Sequence, residues 1–390
     1  MSSDSSSAKP AHGSGRGVLS SLPWMDFLRG GLATSAATLF TNPLEVIKVR
    51  MQVQGELQRR LTVHASATSA PPPALLYRNA WQGLGVIWRA EGLRGVQKGL
   101  MPAVAYQFSM NGIRLGTYSV LKSALDIESR TAQLQSEHRE QKRREKLARE
   151  LRRGAGGSPA DPQLLHSADE EANQKADREL MWAERARYYG AQAVLGGQRI
   201  AAGAGAGVLG AVVASPLYLV KTRMQVSSPV NPSVGAQRNY SGMRSALREV
   251  YKEGGVRELW RGSRAASLRV AGGSSAQLGS YDWCKSTLQY NTGFSGAPLH
   301  LLASLYSGVF VVLVMNPFDV VSTRIYNQPI VDGRGTLYEG VADCFRKTVR
   351  TEGMRGLYKG VIAHWLRVGP HTCLTFVFLE QLRSFWEKLI

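Results

Sequence analysis

Three copies of one pattern constrain this chain more than any other feature. Each copy has an apolar run ending in a proline-led charged motif: Pro43-Leu44-Glu45-Val46-Ile47-Lys48-Val49-Arg50, Pro216-Leu217-Tyr218-Leu219-Val220-Lys221-Thr222-Arg223 and Pro317-Phe318-Asp319-Val320-Val321-Ser322-Thr323-Arg324. After a variable loop each copy has an aromatic (Tyr77, Tyr240, Tyr338) and a basic-Gly pair (Lys98-Gly99, Arg261-Gly262, Lys359-Gly360). A second apolar run then leads to Tyr118, Tyr281 and Leu379. The Tyr-to-Gly interval is 22 residues in every copy, and the interval from that Gly to the last landmark is 19. Two fixed intervals in three copies mark a tandem repeat, in which each unit buries its apolar face against its neighbours.

Bulk composition taken alone points elsewhere. Of the 390 residues 44% are hydrophobic, and mean hydropathy is −0.18. Those averages mix a Ser/Gly-rich start and a polar stretch at 126–190 with apolar runs at 26–44, 200–220 and 299–318. Each run approaches the ~20 residues that a bilayer span requires. Thirteen and nine residues before each proline stand Gly30/Thr34, Gly203/Gly207 and Ser304/Gly308, small pairs that let helix backbones approach closely in a membrane. The net charge of +19 suits nucleic acid, an anionic membrane surface or anionic solutes. Nucleic acid is disfavoured, because the densest basic segment, 128–153, has nine basic and five acidic residues and no aromatic. Cys284, Cys344 and Cys373 are scattered, without CxxC spacing, and the histidines form no HxxH cluster, so neither a metal site nor a disulfide framework is expected. The N-terminus shows no secretory h-region and few arginines, so an import signal would be internal.

The three-copy pattern resembles that of the mitochondrial carrier family, over about 24–125 and 196–390. The resemblance implies an all-α membrane protein: six tilted transmembrane helices in three tandem repeats with pseudo-threefold symmetry and short matrix-side surface helices. It divides the chain into a polar tail (1–22), repeat 1 (23–125), a charged insert (126–195), repeat 2 (196–292) and repeat 3 (293–390). Pro43, Pro216 and Pro317 are then helix kinks, tolerated because neighbouring helices re-satisfy the freed backbone groups. The protein would sit in the inner membrane as a monomer, with both termini and the 126–190 insert facing the intermembrane space.

The family's two gates carry over by position. On the matrix side Glu45 pairs with Lys221, and Asp319 with Lys48. The third pair would join positions 218 and 322, which here are Tyr218 and Ser322. Losing both halves together is physically sensible, since losing one strands a poorly solvated charge at a cost of about 3–5 kcal/mol. On the cytoplasmic side Asp282 is expected to pair with Arg383, and Glu380 with Lys122, leaving Lys285 facing Ser119. Gly99, Gly242, Gly262, Gly340 and Gly360 head helices at the family's cardiolipin sites, with Asn79 in the equivalent place in repeat 1. Helix N-termini offer free N–H groups to phosphate. Gly254 departs from the acid seen at Glu91 and Glu352, with Glu253 just before it, and Gln97 replaces the aromatic of Trp260 and Tyr358.

Counting back from the second gate gives the family's substrate-contact positions: Arg269 and Val270, Arg367, and Tyr106 and Gln107, with Arg114 nearer the mouth. Two arginines at cavity depth are expensive unless they meet an anion, and guanidinium–carboxylate pairing supplies geometry as well as energy. No acid neighbours either arginine in the sequence. The segment Arg367-Val368-Gly369-Pro370-His371-Thr372 resembles the oxoglutarate, dicarboxylate and oxaloacetate branch, and Thr323-Arg324-Ile325-Tyr326-Asn327-Gln328, Asn111-Gly112-Ile113-Arg114-Leu115-Gly116 and Ser215-Pro216-Leu217-Tyr218-Leu219-Val220-Lys221 are most similar to its oxaloacetate carriers. The implied function is transport of oxaloacetate-like oxo- and dicarboxylates, malonate or sulfate by alternating access, with proton symport or anion exchange. No catalysis and no cofactor beyond structural cardiolipin are implied. His371 is read as a packing residue or, alternatively, as a proton carrier. The competing reading is a carrier-fold scaffold, or a carrier of another solute class, with the insert as a partner-docking arm. Within the insert, 128–153 reads as a charged helix with Glu140/Arg144 and Glu145/Arg149 at i,i+4.

Overall fold

The computed structural model describes residues 23–56, 76–154, 166–228, 236–292, 296–331 and 334–389. The described chain is helical apart from a two-residue antiparallel pairing of β1 (Ile330–Val331) with β2 (Arg334–Gly335). Repeat 1 runs as α1 (Pro23–Val53), the shorter α2 (Ala80–Val96) and α3 (Leu100–Ala124). The insert contributes α4 (Ile127–Gly154) and the first part of α5 (His166–Val213), which continues without a break into the third span. Repeat 2 then runs as α6 (Ser215–Val226), α7 (Met243–Leu259) and α8 (Ser263–Thr292). Repeat 3 consists of α9 (Ala297–Asn327), α10 (Val341–Glu352), the four-residue α11 (Met354–Leu357) and α12 (Val361–Leu389).

Six spans are therefore α1, α3, α5 with α6, α8, α9 and α12. Their amphipathicity is inverted relative to a water-soluble bundle. On α1, Thr34, Thr38, Asn42, Glu45 and Lys48 are buried while Leu32, Leu39 and Phe40 are exposed; on α9, Ser307, Asn316 and Asp319 are buried while Leu301, Phe310 and Leu313 are exposed. Apolar surface facing outward over polar residues facing inward is stable only where the solvent is lipid. The same inversion explains why hydropathy understates the spans. Among the described residues only Pro298–Asn327, and the bent pair Ala186–Val213 with Ser215–Val226, are long and apolar enough by composition alone. The prolines act differently: α1 and α9 run through Pro43 and Pro317, whereas Pro216 lies in the first turn of α6, just after a 65° bend.

The small-residue pairs pack closely in two repeats of three. A Cβ on Gly30 would strike Leu115, and one on Gly207 would lie 2.8 Å from Val270 Cγ1; around Gly308 there is open space. Gly99, Gly262 and Gly360 have φ of +70°, +81° and +73°, a region that side chains enter at a cost of about 1–2 kcal/mol. Each also lies against the next repeat: Gly99 against Gln225 and the Lys221 carbonyl, Gly262 against Tyr326, Gly360 against the Lys48 carbonyl. Turn geometry and close approach thus account for these glycines. Gly242 and Gly340 precede α7 and α10 in extended conformation, and Asn79 caps α2 by accepting from Gln82 N at 2.8 Å.

The last residue of each proline motif locks the repeats into a cycle. Arg50 Nε donates to the Gln225 carbonyl, Arg223 Nε to the Tyr326 carbonyl and Arg324 Nε to the Gln52 carbonyl, at 3.0, 3.0 and 3.3 Å. Each guanidinium also pairs with acid from its own repeat: Arg50 with Glu91 at 2.6 and 3.0 Å, Arg324 with Glu352 at 2.9 Å, and Arg223 with both Glu253 at 2.8 Å and Glu258 at 3.0 Å. Burial works against the charged forms of Glu91 and Glu352, yet Arg50 and Arg324 hold both below the usual carboxylate range.

Repeat 2 reaches this arrangement by an exchange of positions. Gly254 stands where the others have Glu91 and Glu352, and Glu258, one turn later, stands where they have Gly95 and Gly356. A Cβ on Gly95 or Gly356 would collide with Glu91 or Glu352, and one on Gly254 would lie 3.0 Å from Glu258 Cβ. One site therefore holds the acid and its partner must be glycine. Within Val120–Gly203, a separate compact unit, α4 and α5 meet through His138 stacked on Tyr188 at 4.0 Å and Arg199 donating to Thr131 at 2.6 Å. Glu140 and Arg144 form no ion pair among the described residues, Glu145 and Arg149 have side chains outside them, and Lys146 lies 3.9 Å from Glu150.

The exchange is testable by thermal denaturation in detergent. Glu258→Gly alone weakens the hold on buried Arg223 and lowers Tm by several degrees, an effect of about 1–3 kcal/mol. Adding Gly254→Glu recreates the pattern of the other repeats and returns Tm toward wild type.

Candidate binding cavity

Where the inward faces of the spans converge, a cavity of about 140 Å³ is lined by polar and charged residues: Glu45, Tyr106, Gln107, Asn111, Tyr218, Lys221, Arg269, Arg367 and His371, with Met110. The proline motifs form its floor. Lys221 Nζ lies 2.7 Å from Glu45 Oε1, and Lys48 Nζ lies 2.8 Å from Asp319 Oδ2, with all four side chains at most 5% exposed. These two contacts join repeat 2 to repeat 1 and repeat 1 to repeat 3. Gln52 Nε2 also donates to Asp319 at 2.8 Å. Ser322 Oγ donates to the Asp319 carbonyl in its own helix, so it reaches across to no other repeat in this contact.

Both arginines lie directly above this floor. Arg269 donates through Nη2 to the Tyr106 hydroxyl at 3.0 Å, and its Nε lies 3.7 Å from Asp319 Oδ1. Arg367 Nη2 lies 3.8 Å from Glu45 Oε1. Sequence neighbours did not reveal these acids because they come from other repeats. The contacts are long for charge-assisted hydrogen bonds, which run about 2.7–2.9 Å, and the Nε atoms of both arginines are buried with no hydrogen-bond partner among the described residues. Buried donors without acceptors cost about 1–3 kcal/mol each. An acceptor arriving in the cavity would relieve that cost.

Tyr106 is a strut as much as a wall, since its hydroxyl accepts from Arg269 and donates to Met110 Sδ at 2.7 Å. Gln107 Nε2 faces His371 Nε2 at 2.9 Å, and His371 Nδ1 lies 3.1 Å from Thr41 Oγ1. Both ring nitrogens of His371 thus have a polar partner, one on α3 and one on α1. That is a packing role. Two expected contact residues lie elsewhere. Val270 is 3% exposed within the apolar cluster around Tyr218 and Leu219 and is not part of the cavity wall, because its side chain faces Gly207. Arg114 is half-buried further along α3 and is likewise outside the wall. For Val270 this follows from helix periodicity, since one residue past Arg269 turns the side chain by about 100°; Arg114, three and four residues beyond Asn111 and Met110, shares their face and lies about a turn further along α3.

At the other end of the spans, Glu380 and Arg383 are exposed and Lys122 and Lys285 half-buried; the Asp282 side chain lies outside the described residues. Ser119 Oγ donates to the Gly116 carbonyl, and the Tyr281 hydroxyl lies 2.6 Å from His300 Nδ1. Among the described residues no group of His, Cys, Asp and Glu is arranged to hold a metal. Sequence reasoning missed Asn111 as a lining residue, and its four-residue spacing from Gln107 was the available signal.

Three segments match the profile of the mitochondrial carrier protein family, residues 20–128, 195–292 and 295–389. The chain is 39% identical to human solute carrier family 25 member 35, over 93% of this chain and 98% of that one. It is 38% identical to the mitochondrial oxaloacetate transport protein of Saccharomyces cerevisiae, over 91% and 87%. It is 35% identical to mitochondrial citrate transporter E of Aspergillus niger, over 93% and 94%. The chain belongs to the mitochondrial carrier family. It is a carrier of the mitochondrial inner membrane and not an enzyme.

Beyond the spans, Glu56 follows α1 and is 8% exposed. Burial pushes its carboxyl up to about 7, against the opposing pull of Arg324 and the Tyr338 hydroxyl. A carboxyl raised above its unfolded value stabilises the fold while protonated, and that contribution is lost as pH rises through the folded pKa. The Glu56-dependent part of Tm is therefore expected to fall between about pH 5 and pH 7.5, and Glu56→Gln flattens that part of the profile in a melting series.

Proposed function

We propose that the protein carries small dianionic organic acids, or sulfate, across the inner membrane by alternating access. The observation that supports this most directly is the charge of the cavity. Its wall holds three cations, Lys221, Arg269 and Arg367, and one carboxylate, Glu45. The Lys48–Asp319 pair beneath is balanced. The site therefore carries a net excess of two positive charges, which fits a solute bearing two negative charges. The volume, well under the roughly 300–1,000 Å³ of drug-sized sites, favours a compact solute. Relatives named for oxaloacetate and for citrate transport agree with an acidic cargo.

In this reading the floor is the matrix-side gate, closed here by its two ion pairs, and the cavity faces the intermembrane space along with both termini and the insert. The dianion takes up the idle Nε donors of Arg269 and Arg367, bridging α8 and α12. Its binding energy offsets the cost of separating Glu45 from Lys221 and Asp319 from Lys48, each a matter of several kcal/mol. Closure at Asp282, Lys285, Glu380, Arg383 and Lys122 follows at the other end. Moving one charge across ~150 mV costs roughly 3.5 kcal/mol, so a dianion entering a negative matrix requires exchange for another anion or a co-transported proton. With His371 engaged on both ring nitrogens, exchange is the simpler assignment. The surface-helix starts at Asn79, Gly242 and Gly340 are suited to hold cardiolipin phosphate, and the carrier works as a monomer.

The test is uptake into proteoliposomes of labelled malonate, oxaloacetate, sulfate, citrate and pyruvate, with and without internal anion. Wild type is expected to prefer the dianions, and Arg269→Ala or Arg367→Ala to reduce their uptake by about 30-fold or more. Uptake of no anion by folded protein would contradict the assignment.

A further inference from the structure

The third ion pair of the gate is missing, and the surroundings of position 218 have a definite organisation. Tyr218 is 3% exposed. Its ring packs against Tyr106 at 4.9 Å and against Tyr326 at 5.2 Å between centroids. Lys221 Nζ lies 5.3 Å and the Arg269 guanidinium carbon 5.0 Å from the centre of the Tyr218 ring, and Lys221 also lies 5.0 Å from that of Tyr106. The Tyr218 hydroxyl donates to Asp319 Oδ1 at 3.5 Å. One side chain thus touches a cation of one gate pair, the acid of the other and a cavity arginine.

We propose that Tyr218 is a gate residue that replaces the absent ion pair with an aromatic one. Its ring holds Lys221 and Arg269 by cation–π attraction, and its hydroxyl tethers Asp319. The replacement has an electrostatic logic. A carboxylate at 218 without a base at 322 would neutralise one of the two excess positive charges and leave the cavity suited to a monoanion. A tyrosine is neutral, so it stabilises the same two cations and leaves their full charge for the solute. The gate contacts stand on the geometry alone; the consequence for solute charge rests on the transport reading above.

The experiment separates the two. A cysteine introduced by Asn111→Cys in the cavity wall is labelled with a membrane-impermeant maleimide from either side of oriented proteoliposomes, relative to protein without it. Tyr218→Phe keeps the ring and is expected to label from the proline-motif side within about threefold of wild type, since a single 3.5 Å contact is lost. Tyr218→Leu removes the cation–π contacts, and labelling from that side is expected to rise about tenfold. The double variant Tyr218→Glu with Ser322→Lys supplies the missing ion pair and is expected to close the gate again, with the dianion preference retained. Tyr218→Glu alone is expected to shift transport from malonate toward pyruvate. Wild-type labelling in Tyr218→Leu, or failure of the paired variant to label more slowly than Tyr218→Leu, would overturn the proposal. If wild type carries no anion while Tyr218→Leu still opens the floor, the transport reading fails and the gate assignment stands.

Discussion

Everything above the floor of the cavity depends on two ion pairs that have left water. Lys48–Asp319 and Lys221–Glu45 are nearly inaccessible, and such pairs contribute little net stability because desolvation offsets their attraction. Their value is conditional. They close repeat 1 onto both other repeats while together, and become a steep cost once either member is alone. A contact with that property suits a gate, which must be firm when shut and must open only when something compensates the separated charges.

The surrounding residues divide that task between fixed and movable charge. Arg50, Arg223 and Arg324 are anchors: each holds acid within its own repeat and a backbone carbonyl in the next. Arg269 and Arg367 are held loosely, with longer contacts to the gate acids and Nε donors left idle. The same residue type thus serves as structure where its donors are satisfied and, in the proposed transport reading, as a binding site where they are not. Tyr218 lies between the two sets, giving the cations a partner without cancelling their charge.

Much of this was legible in the sequence, because the repeat spacing aligns three copies and each copy interprets the others. The motif positions, the spans and the cavity depth of Arg269 and Arg367 all follow from register. The failures have physical causes. Val270 adjoins a lining residue in sequence but turns onto another helix face. Glu258 looks like an incidental charge until one notices that Gly254 and Glu258 occupy the places of an acid and a glycine in reverse. The acids beneath the cavity arginines come from α1 and α9, so no local reading of α8 or α12 reveals them. Continuation of α5 from the insert into the third span is likewise absent from the repeat pattern, since only one copy carries an insert.

The most direct measurement is a double-mutant cycle on the buried floor, with Lys48→Met, Asp319→Leu and their combination compared by thermal denaturation in cardiolipin-containing detergent. Each single variant strands a charge, and the pair of changes removes both. The double variant should melt above either single one, with a coupling of about 2 kcal/mol or more. Additive losses, with the double variant the least stable of the three, would contradict a floor held shut by this pair.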